Sequence, residues 1–230
     1  MKKLLPLLII LTVFFGCADK PTSPYVISKA IKTKDGGKFD VMLYARLTKP
    51  EMVAIASKIK KDSSQYDNLQ LDYLLPGNSY KNAGGITVYA TANYHEPKSV
   101  TPADTVMDIH DNRLSLTFMG FTPEEAKKLL ALKPEGMDSK ILAGKFIDDY
   151  TKTISFIYKD SGDKGQTYIL ELDTTGKIVS ATQPMQVMIK GVQRLVISAN
   201  GDYCTLQDGN LTMYSSDDPE KPYRVLKAGI

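Results

Sequence analysis

Short strand-like segments separated by turns recur through the last ninety or so residues of the chain, and this spacing limits the fold more than any other feature. The segments begin near nine positions, at Ile141, Thr153, Gln166, Ile178, Met185, Gln193, Asp202, Leu211 and Tyr223. Turn sequences such as Asn200-Gly201 and Asp208-Gly209 lie between them. About ten residues per strand and turn is typical of an antiparallel meander that forms a barrel or a sandwich.

The first half of the chain repeats a different pattern, a strand followed by a helix that begins at a threonine. Alternating segments at 39–47 and 113–119 precede Thr48 and Thr122, and each threonine stands three residues before a glutamate. This spacing is that of a capping box, which marks a helix start. Two further strands are predicted at 69–75 and 86–94. We expect a small α+β domain whose mixed sheet is covered on one face by both helices.

The first residues have the order of charge and hydrophobicity that an export signal requires. Lys2 and Lys3 precede a nearly unbroken apolar run over 4–15. At about 1.5 Å per residue this run spans roughly 18 Å, well short of a hydrocarbon core of roughly 30 Å, so it predicts a signal peptide and not a membrane span. The pair Gly16-Cys17 resembles the cleavage box of bacterial lipoproteins, in which the cysteine becomes the acylated N-terminus.

The lipoprotein resemblance implies that Cys17 carries several acyl chains, as stable anchoring requires. Residues 18–24 are small and polar with two prolines, which is typical of a tether, and seven residues reach roughly 25 Å. In lipoproteins of this kind an aspartate after the cysteine tends to retain the protein in the inner membrane, and here Ala18 takes that place. The resemblance therefore implies a place in the bacterial cell envelope, at the outer membrane and facing the periplasm.

These patterns predict four segments. They are a signal peptide at 1–16, a lipidated cysteine with its tether at 17–24, the α+β domain at 25–137 and an antiparallel β domain at 138–230. Within the last segment, Gly144-Lys145-Phe146-Ile147-Asp148 resembles the first strand of lipocalin-like barrels, with Phe146 where the family usually has tryptophan. That resemblance implies a small barrel with room for its own side chains or one small ligand. The last segment is thus expected to be a lipocalin-like barrel or a sandwich.

Charge and composition exclude several classes of function. The chain has 29 Lys and Arg against 26 Asp and Glu, and removal of Lys2 and Lys3 brings the two nearly into balance. A nucleic-acid partner is therefore not expected, because such proteins need a marked basic excess gathered into a patch. Two cysteines, two histidines and no tryptophan also exclude a disulfide framework, a multi-histidine metal centre and a tryptophan platform for sugars.

Few residues are candidates for acid–base chemistry or metal binding. Asp108 and His110 stand two apart, so on a strand they would share one face and could share a metal. His95 and Glu96 could do acid–base work, but adjacent residues of a strand point to opposite faces. We interpret both pairs as turn and strand-end residues, and we expect no catalytic residue, cofactor or bound metal.

Two other nucleophile patterns have ordinary explanations. Ser161 and Lys164 have the Ser-x-x-Lys spacing of serine acyl-enzymes, yet the intervening Gly162-Asp163 predicts a turn where that chemistry needs a helix. Cys204 lies in a strand pattern with no neighbouring histidine or positive site in the sequence. We predict that it is a small buried apolar residue.

The leading hypothesis is a lipid-anchored envelope protein that acts as a non-enzymatic binding or interaction module. Its expected partners are the membrane, through acylated Cys17, and an envelope protein or a small-molecule ligand. Two alternatives stay open. One is an envelope hydrolase with a site around His95 and His110, and the other is a lipocalin-like carrier of a small apolar ligand.

Overall fold

The computed structural model describes residues 23–34, 36–75, 88–95, 114–161 and 165–229. Within these ranges fourteen strands form three sheets, and there are two helices. Neither described helix combines the length and the apolar character that crossing a membrane requires. The predicted signal peptide and Cys17 lie outside the described residues, as do Glu96, Asp108, His110 and Lys164.

The first sheet contains five strands whose order in space follows the chain. They are β1 (Tyr25–Thr33), β2 (Gly36–Leu43), β3 (Asn68–Leu74), β4 (Ala90–Tyr94) and β5 (Leu114–Phe118). Neighbouring strands are antiparallel except β2 and β3, which are parallel because helix α1 (Lys49–Asp62) carries the chain back between them. The helix covers one face of the sheet, and its buried face packs with the inward side chains of the strands into one core.

Both helices begin at the predicted threonines. Thr48 precedes α1 and Thr122 precedes α2 (Pro123–Ala131). The Glu51 and Glu125 carboxylates each accept a hydrogen bond at 2.8 Å from the backbone amide of the threonine three residues before them. Hydrogen bonds from these threonines favour the charged form of each carboxylate and lower the pKa of both glutamates. The capping boxes are therefore confirmed.

The second half of the chain contains nine strands in two antiparallel sheets, and the nine predicted strands are confirmed. The four-stranded sheet comprises β6 (Ile141–Asp148), β7 (Thr153–Lys159), β8 (Thr167–Leu172) and β9 (Ile178–Thr182). The five-stranded sheet comprises β10 (Met185–Ile189), β11 (Val192–Val196), β12 (Tyr203–Gln207), β13 (Asn210–Ser215) and β14 (Asp218–Lys227).

The two sheets of the second half stack as an open sandwich, so the lipocalin-like barrel is wrong and the sandwich alternative describes the fold. Phe146, Ile157 and Ile169 of one sheet share a core with residues of the other, among them Leu195 and Leu211. Neither sheet closes on itself. The chain passes from β9 to β10 through Pro184, which has no amide hydrogen to continue a ladder, and these two consecutive strands are edge strands of different sheets.

Helix α2 packs on the outer face of the four-stranded sheet and not on the first sheet. Ala126 and Leu129 contact the even-numbered residues of β7, such as Phe156, while Ile157 points the other way into the sandwich. The prediction that both helices cover the first sheet is therefore wrong. The described fold is mostly β and not a clear α+β arrangement, and the apolar partners of α2 lie in the second half of the chain. The bounds 25–137 and 138–230 stay a prediction.

Strand β1 was not predicted, and its sequence explains why. A bulge between Ile27 and Lys29 shifts the register of β1 against β2. Across that bulge the apolar residues stand side by side, as in Val26-Ile27 and Ala30-Ile31, and the alternation that identifies a half-buried strand is lost.

Two consecutive buried aspartates in the β6–β7 turn connect the three sheets. Asp149 forms a bidentate ion pair with Arg46, which follows β2, with both N–O distances 2.8 Å and side-chain exposures of 1% and 6%. The amide of Phe121 donates to Asp149 Oδ1 at 2.8 Å, and the Phe121 carbonyl accepts from Arg46 Nη1 at 2.9 Å. This cluster joins the first sheet, the start of α2 and the four-stranded sheet.

The preceding aspartate makes the connection to the five-stranded sheet. Asp148 is fully buried and forms an ion pair with Arg224 of β14. It also accepts hydrogen bonds from the amide of Tyr150 at 2.9 Å and from the Thr151 hydroxyl at 2.6 Å. Asp148 and Asp149 thus make their ion pairs with arginines of two different sheets.

We expect Asp149→Asn to lower the free energy of unfolding by about 3–5 kcal/mol, because it leaves the buried Arg46 guanidinium without its counter-charge. The matched control is Asp218→Asn, since Asp218 pairs with Lys221 at 3.9 Å on the surface and exposed pairs contribute about 0–1 kcal/mol. Urea unfolding of both variants measures the difference. Equal urea unfolding midpoints for the two variants would contradict the expectation that the buried ion pair stabilises the fold more than the surface pair.

Candidate functional site

One end of the first sheet brings four strand ends together. Thr33 at the end of β1 pairs with Gly36 at the start of β2, and Gly36 pairs with Asn68 at the start of β3. Leu69 pairs with Tyr94, the last residue of β4. Because β2 and β3 are parallel and their outer neighbours are antiparallel to them, four strand ends from three parts of the chain meet here.

Two adjoining depressions lie at this end of the sheet, with volumes of about 490 and 200 Å³. Both are lined by Thr33, Gly36 and Asn68, and we call them together the sheet-end groove. The remaining lining residues are Lys32, Lys34, Gln65, Tyr66 and Asp67 in the larger part, and Gly37, Lys38, Leu69, Gln70, Asn93, Tyr94 and His95 in the smaller part.

The glycine pair at the start of β2 allows the groove to form. A Cβ atom on Gly36 would lie 2.1 Å from the backbone oxygen of Asn68, and one on Gly37 would lie 3.0 Å from the Tyr66 ring. No side chain fits at Gly36 without separating β2 from β3. The groove is therefore lined with accessible backbone at the point where the two parallel strands begin.

The described lining is rich in cations and amides. It contains Lys32, Lys34 and Lys38, with the carboxylate of Asp67 in the lining and that of Asp72 paired with Lys38. Lys32 and Lys34 are exposed at the end of the β1–β2 hairpin. Lysine side chains together with amide donors favour a ligand that carries negative charge.

A buried aspartate next to the groove holds two of the polar side chains that line it. Asp72 of β3 has a side chain that is 8% exposed and forms an ion pair with Lys38 at 2.7 Å. The same carboxylate accepts hydrogen bonds from Gln70 Nε2 at 2.9 Å and from the Thr91 hydroxyl at 3.2 Å. Asp72 therefore restrains Lys38 and Gln70, two of the polar residues that line the smaller part of the groove.

His95 is the one candidate from the sequence that the structure places in the groove. Strand β4 ends at Tyr94, so His95 follows the strand directly, is exposed and lines the smaller depression. Glu96, Asp108 and His110, the residues with which it could have formed a catalytic or metal site, lie outside the described residues. Within the described ranges no three histidine, cysteine, aspartate or glutamate side chains are grouped so as to hold a metal ion.

The second cysteine is confirmed as a buried core residue. Cys204 is fully buried between the two sheets of the sandwich. Burial raises the pKa of its thiol to about 12, so the thiolate that a nucleophile needs is disfavoured at neutral pH.

No protein-family model, curated protein or solved structure matches this chain.

Several groove residues escaped the sequence analysis, and one sequence signal could have pointed to them. Gly36-Gly37 follows Lys34-Asp35 and precedes Lys38. Paired glycines between two strands often mark a close backbone approach, and flanking lysines mark a surface for anions. Asn68 and Asn93 line the groove only because β2, β3 and β4 pair with one another. The sequence around each of them contains no pattern that predicts this.

We expect Gly36→Ala to destabilise the first sheet by about 1–3 kcal/mol, because the added methyl group overlaps the Asn68 carbonyl. Thr33→Ala is the control, since Thr33 is the exposed residue that pairs with Gly36 across the hairpin, and its effect should stay under about 1 kcal/mol. Denaturant unfolding monitored by tyrosine fluorescence gives both values. If Gly36→Ala lowers the free energy of unfolding no more than Thr33→Ala does, then the close approach of β2 and β3 does not require a glycine at position 36.

Proposed function

We propose that this chain is a lipid-anchored protein of the bacterial cell envelope that binds a ligand carrying an anionic group in the sheet-end groove. The anchor is Cys17, the tether is 17–24 and the site is formed by the first sheet. The observation that carries the binding part of the proposal is the convergence of Lys32, Lys34 and Lys38 with amide side chains on one groove.

Support for the anchor comes from the order of residues at the start of the chain. Lys2 and Lys3, the apolar run over 4–15 and the pair Gly16-Cys17 follow one another as in lipoprotein precursors. Ala18 favours the outer membrane, with the folded part facing the periplasm. The tether begins at Cys17 and its last residue is followed directly by β1.

Support for an anionic ligand comes from charge and from preorganisation. Asp72 fixes the position of the Lys38 ammonium group, which lowers the cost of ordering it, and also offsets its charge. The net positive charge of the groove therefore comes from Lys32 and Lys34. Lys32 and Lys34 add charge at the rim, where they attract an anion over several ångströms. The amides of Asn68 and Asn93 supply directional donors that a bare charge cluster lacks.

A hydrolase is the second candidate function, and the position of His95 in the groove favours it. An imidazole on the groove rim could accept a proton from water beside a bound anionic ester. In that case His95→Ala would abolish turnover of the ligand and leave its binding in place. In a binding module the ligand is recovered unchanged from both proteins.

We expect cells given radiolabelled palmitate to label the native protein and the Cys204→Ala variant, and to leave the Cys17→Ser variant unlabelled. Cys204 is the matched control because it is the other cysteine of the chain and is buried. Label in the Cys17→Ser variant, or its absence from the native protein, would overturn the anchor.

Pyrophosphate is the anionic probe for the sheet-end groove. The protein extracted from membranes should bind pyrophosphate, and the double variant Lys32→Gln/Lys34→Gln should bind it about 5- to 10-fold more weakly, with the loss shrinking as salt screens the charges. Isothermal titration calorimetry measures both affinities.

The control for the groove is the double variant Lys177→Gln/Lys190→Gln, which removes the same charge from exposed turns of the second half. It should bind pyrophosphate as the native protein does. Equal losses in the two double variants would mean that binding follows net charge alone, and the proposal of a groove site would be contradicted.

A further inference from the structure

Strand β1 is exposed along almost its whole length, which sets it apart from the other strands of the first sheet. Among its residues only Tyr25 packs against the core of that sheet. Val26, Ile27 and Ile31 are 46%, 42% and 39% exposed. A nine-residue strand that pairs with β2 along its length leaves three large apolar side chains in contact with solvent.

The free edge of β1 is poorly suited to pairing with another strand. The bulge between Ile27 and Lys29 interrupts the regular row of backbone groups. Lys29 and Lys32 add charge along the same strand, and bulges and lysines are the devices that protect sheet edges from strand addition. These features argue against a partner strand and against edge-to-edge pairing of two copies of this chain.

The charge of the segment points to an anionic surface. Residues 25–34 contain three lysines, Lys29, Lys32 and Lys34, and the acidic residues nearest to them are Asp35, next in the sequence, and Asp40, opposite Lys29 on β2. Basic residues interspersed with exposed apolar side chains are the composition of segments that lie at a membrane interface, where lysines face anionic headgroups and apolar side chains enter the headgroup boundary.

The position of β1 in the chain places it within reach of such a surface. Its first residue, Tyr25, directly follows the tether, and the seven residues between Cys17 and Tyr25 span at most about 25 Å. The step rests on the proposed acylation of Cys17, and it shares Lys32 and Lys34 with the proposed ligand site of the groove.

We propose that β1 is a membrane-contact strand that lies against the headgroup region of the anchoring membrane and pairs its lysines with anionic phospholipids. Val26 and Ile31 lie on one side of the sheet and Ile27 on the other, so the edge of the sheet makes the contact and not one of its faces. Lys32 and Thr33, at the far end of β1, line the sheet-end groove. The groove therefore opens beside the membrane surface.

The test uses the full acylated protein with a nitroxide spin label at one introduced cysteine, in a Cys204→Ala background. One label stands at Ile31→Cys. The control label stands at Val179→Cys, because Val179 is also an exposed apolar strand residue, 53% exposed, and belongs to β9. Each protein is inserted into phosphatidylcholine vesicles with or without phosphatidylglycerol, and accessibility to a water-soluble nickel chelate is measured.

We expect the label at position 31 to become several-fold less accessible to the nickel chelate when phosphatidylglycerol is present, while the label at position 179 stays accessible in both vesicles. Adding Lys29→Gln and Lys32→Gln should restore most of the accessibility at position 31, since the lysines supply the attraction. Equal accessibility of position 31 in both vesicles, or equal protection of both positions, would overturn the proposal.

Failure of the anchor has a different readout. A protein that does not sediment with the vesicles, and whose Cys17 has no acyl mass, overturns the anchor and with it the membrane-contact strand. A protein that sediments normally but exposes position 31 overturns the contact strand alone.

Discussion

The buried pairing of Asp148 and Asp149 with two arginines is the constraint on which the arrangement of the three sheets depends. Asp149 binds Arg46 and the amide of Phe121, and Asp148 binds Arg224 of β14. Removing carboxylates from water is unfavourable unless each finds partners, so the β6–β7 turn is stable only when the first sheet and the five-stranded sheet both supply an arginine. Gly120 is part of the same packing, because a Cβ atom there would lie 2.6 Å from the Asp149 carboxylate.

This constraint gives the proposed function its geometry. The first sheet carries both the sheet-end groove and the exposed strand β1, and the sandwich holds that sheet through Arg46. The proposed anchor at Cys17 is connected to the first sheet through Tyr25, so the proposed membrane-contact strand and the groove share the strand β1.

The sequence predicted the strands and helix starts well, but it did not predict which elements pack against one another. Strand alternation and turn glycines are local, and so are the threonine caps, which explains why the nine later strands and both helix starts were confirmed. The apolar stripe of α2 shows that the helix has a buried side but not which sheet covers it. Arg46 and Asp149 are 103 positions apart, and the groove combines residues near 33, 68 and 94, so neither leaves a pattern in any short window.

The most direct test of this account is a double-mutant cycle in which the free energy of unfolding is measured for Arg46→Met, Asp149→Leu and the two together. Each single variant should be strongly destabilised, because it leaves one buried charge without its partner. The double variant should recover part of the loss, with a coupling free energy of about 2 kcal/mol. Losses that simply add, within about 0.5 kcal/mol, would contradict the claim that this ion pair holds the first sheet to the sandwich.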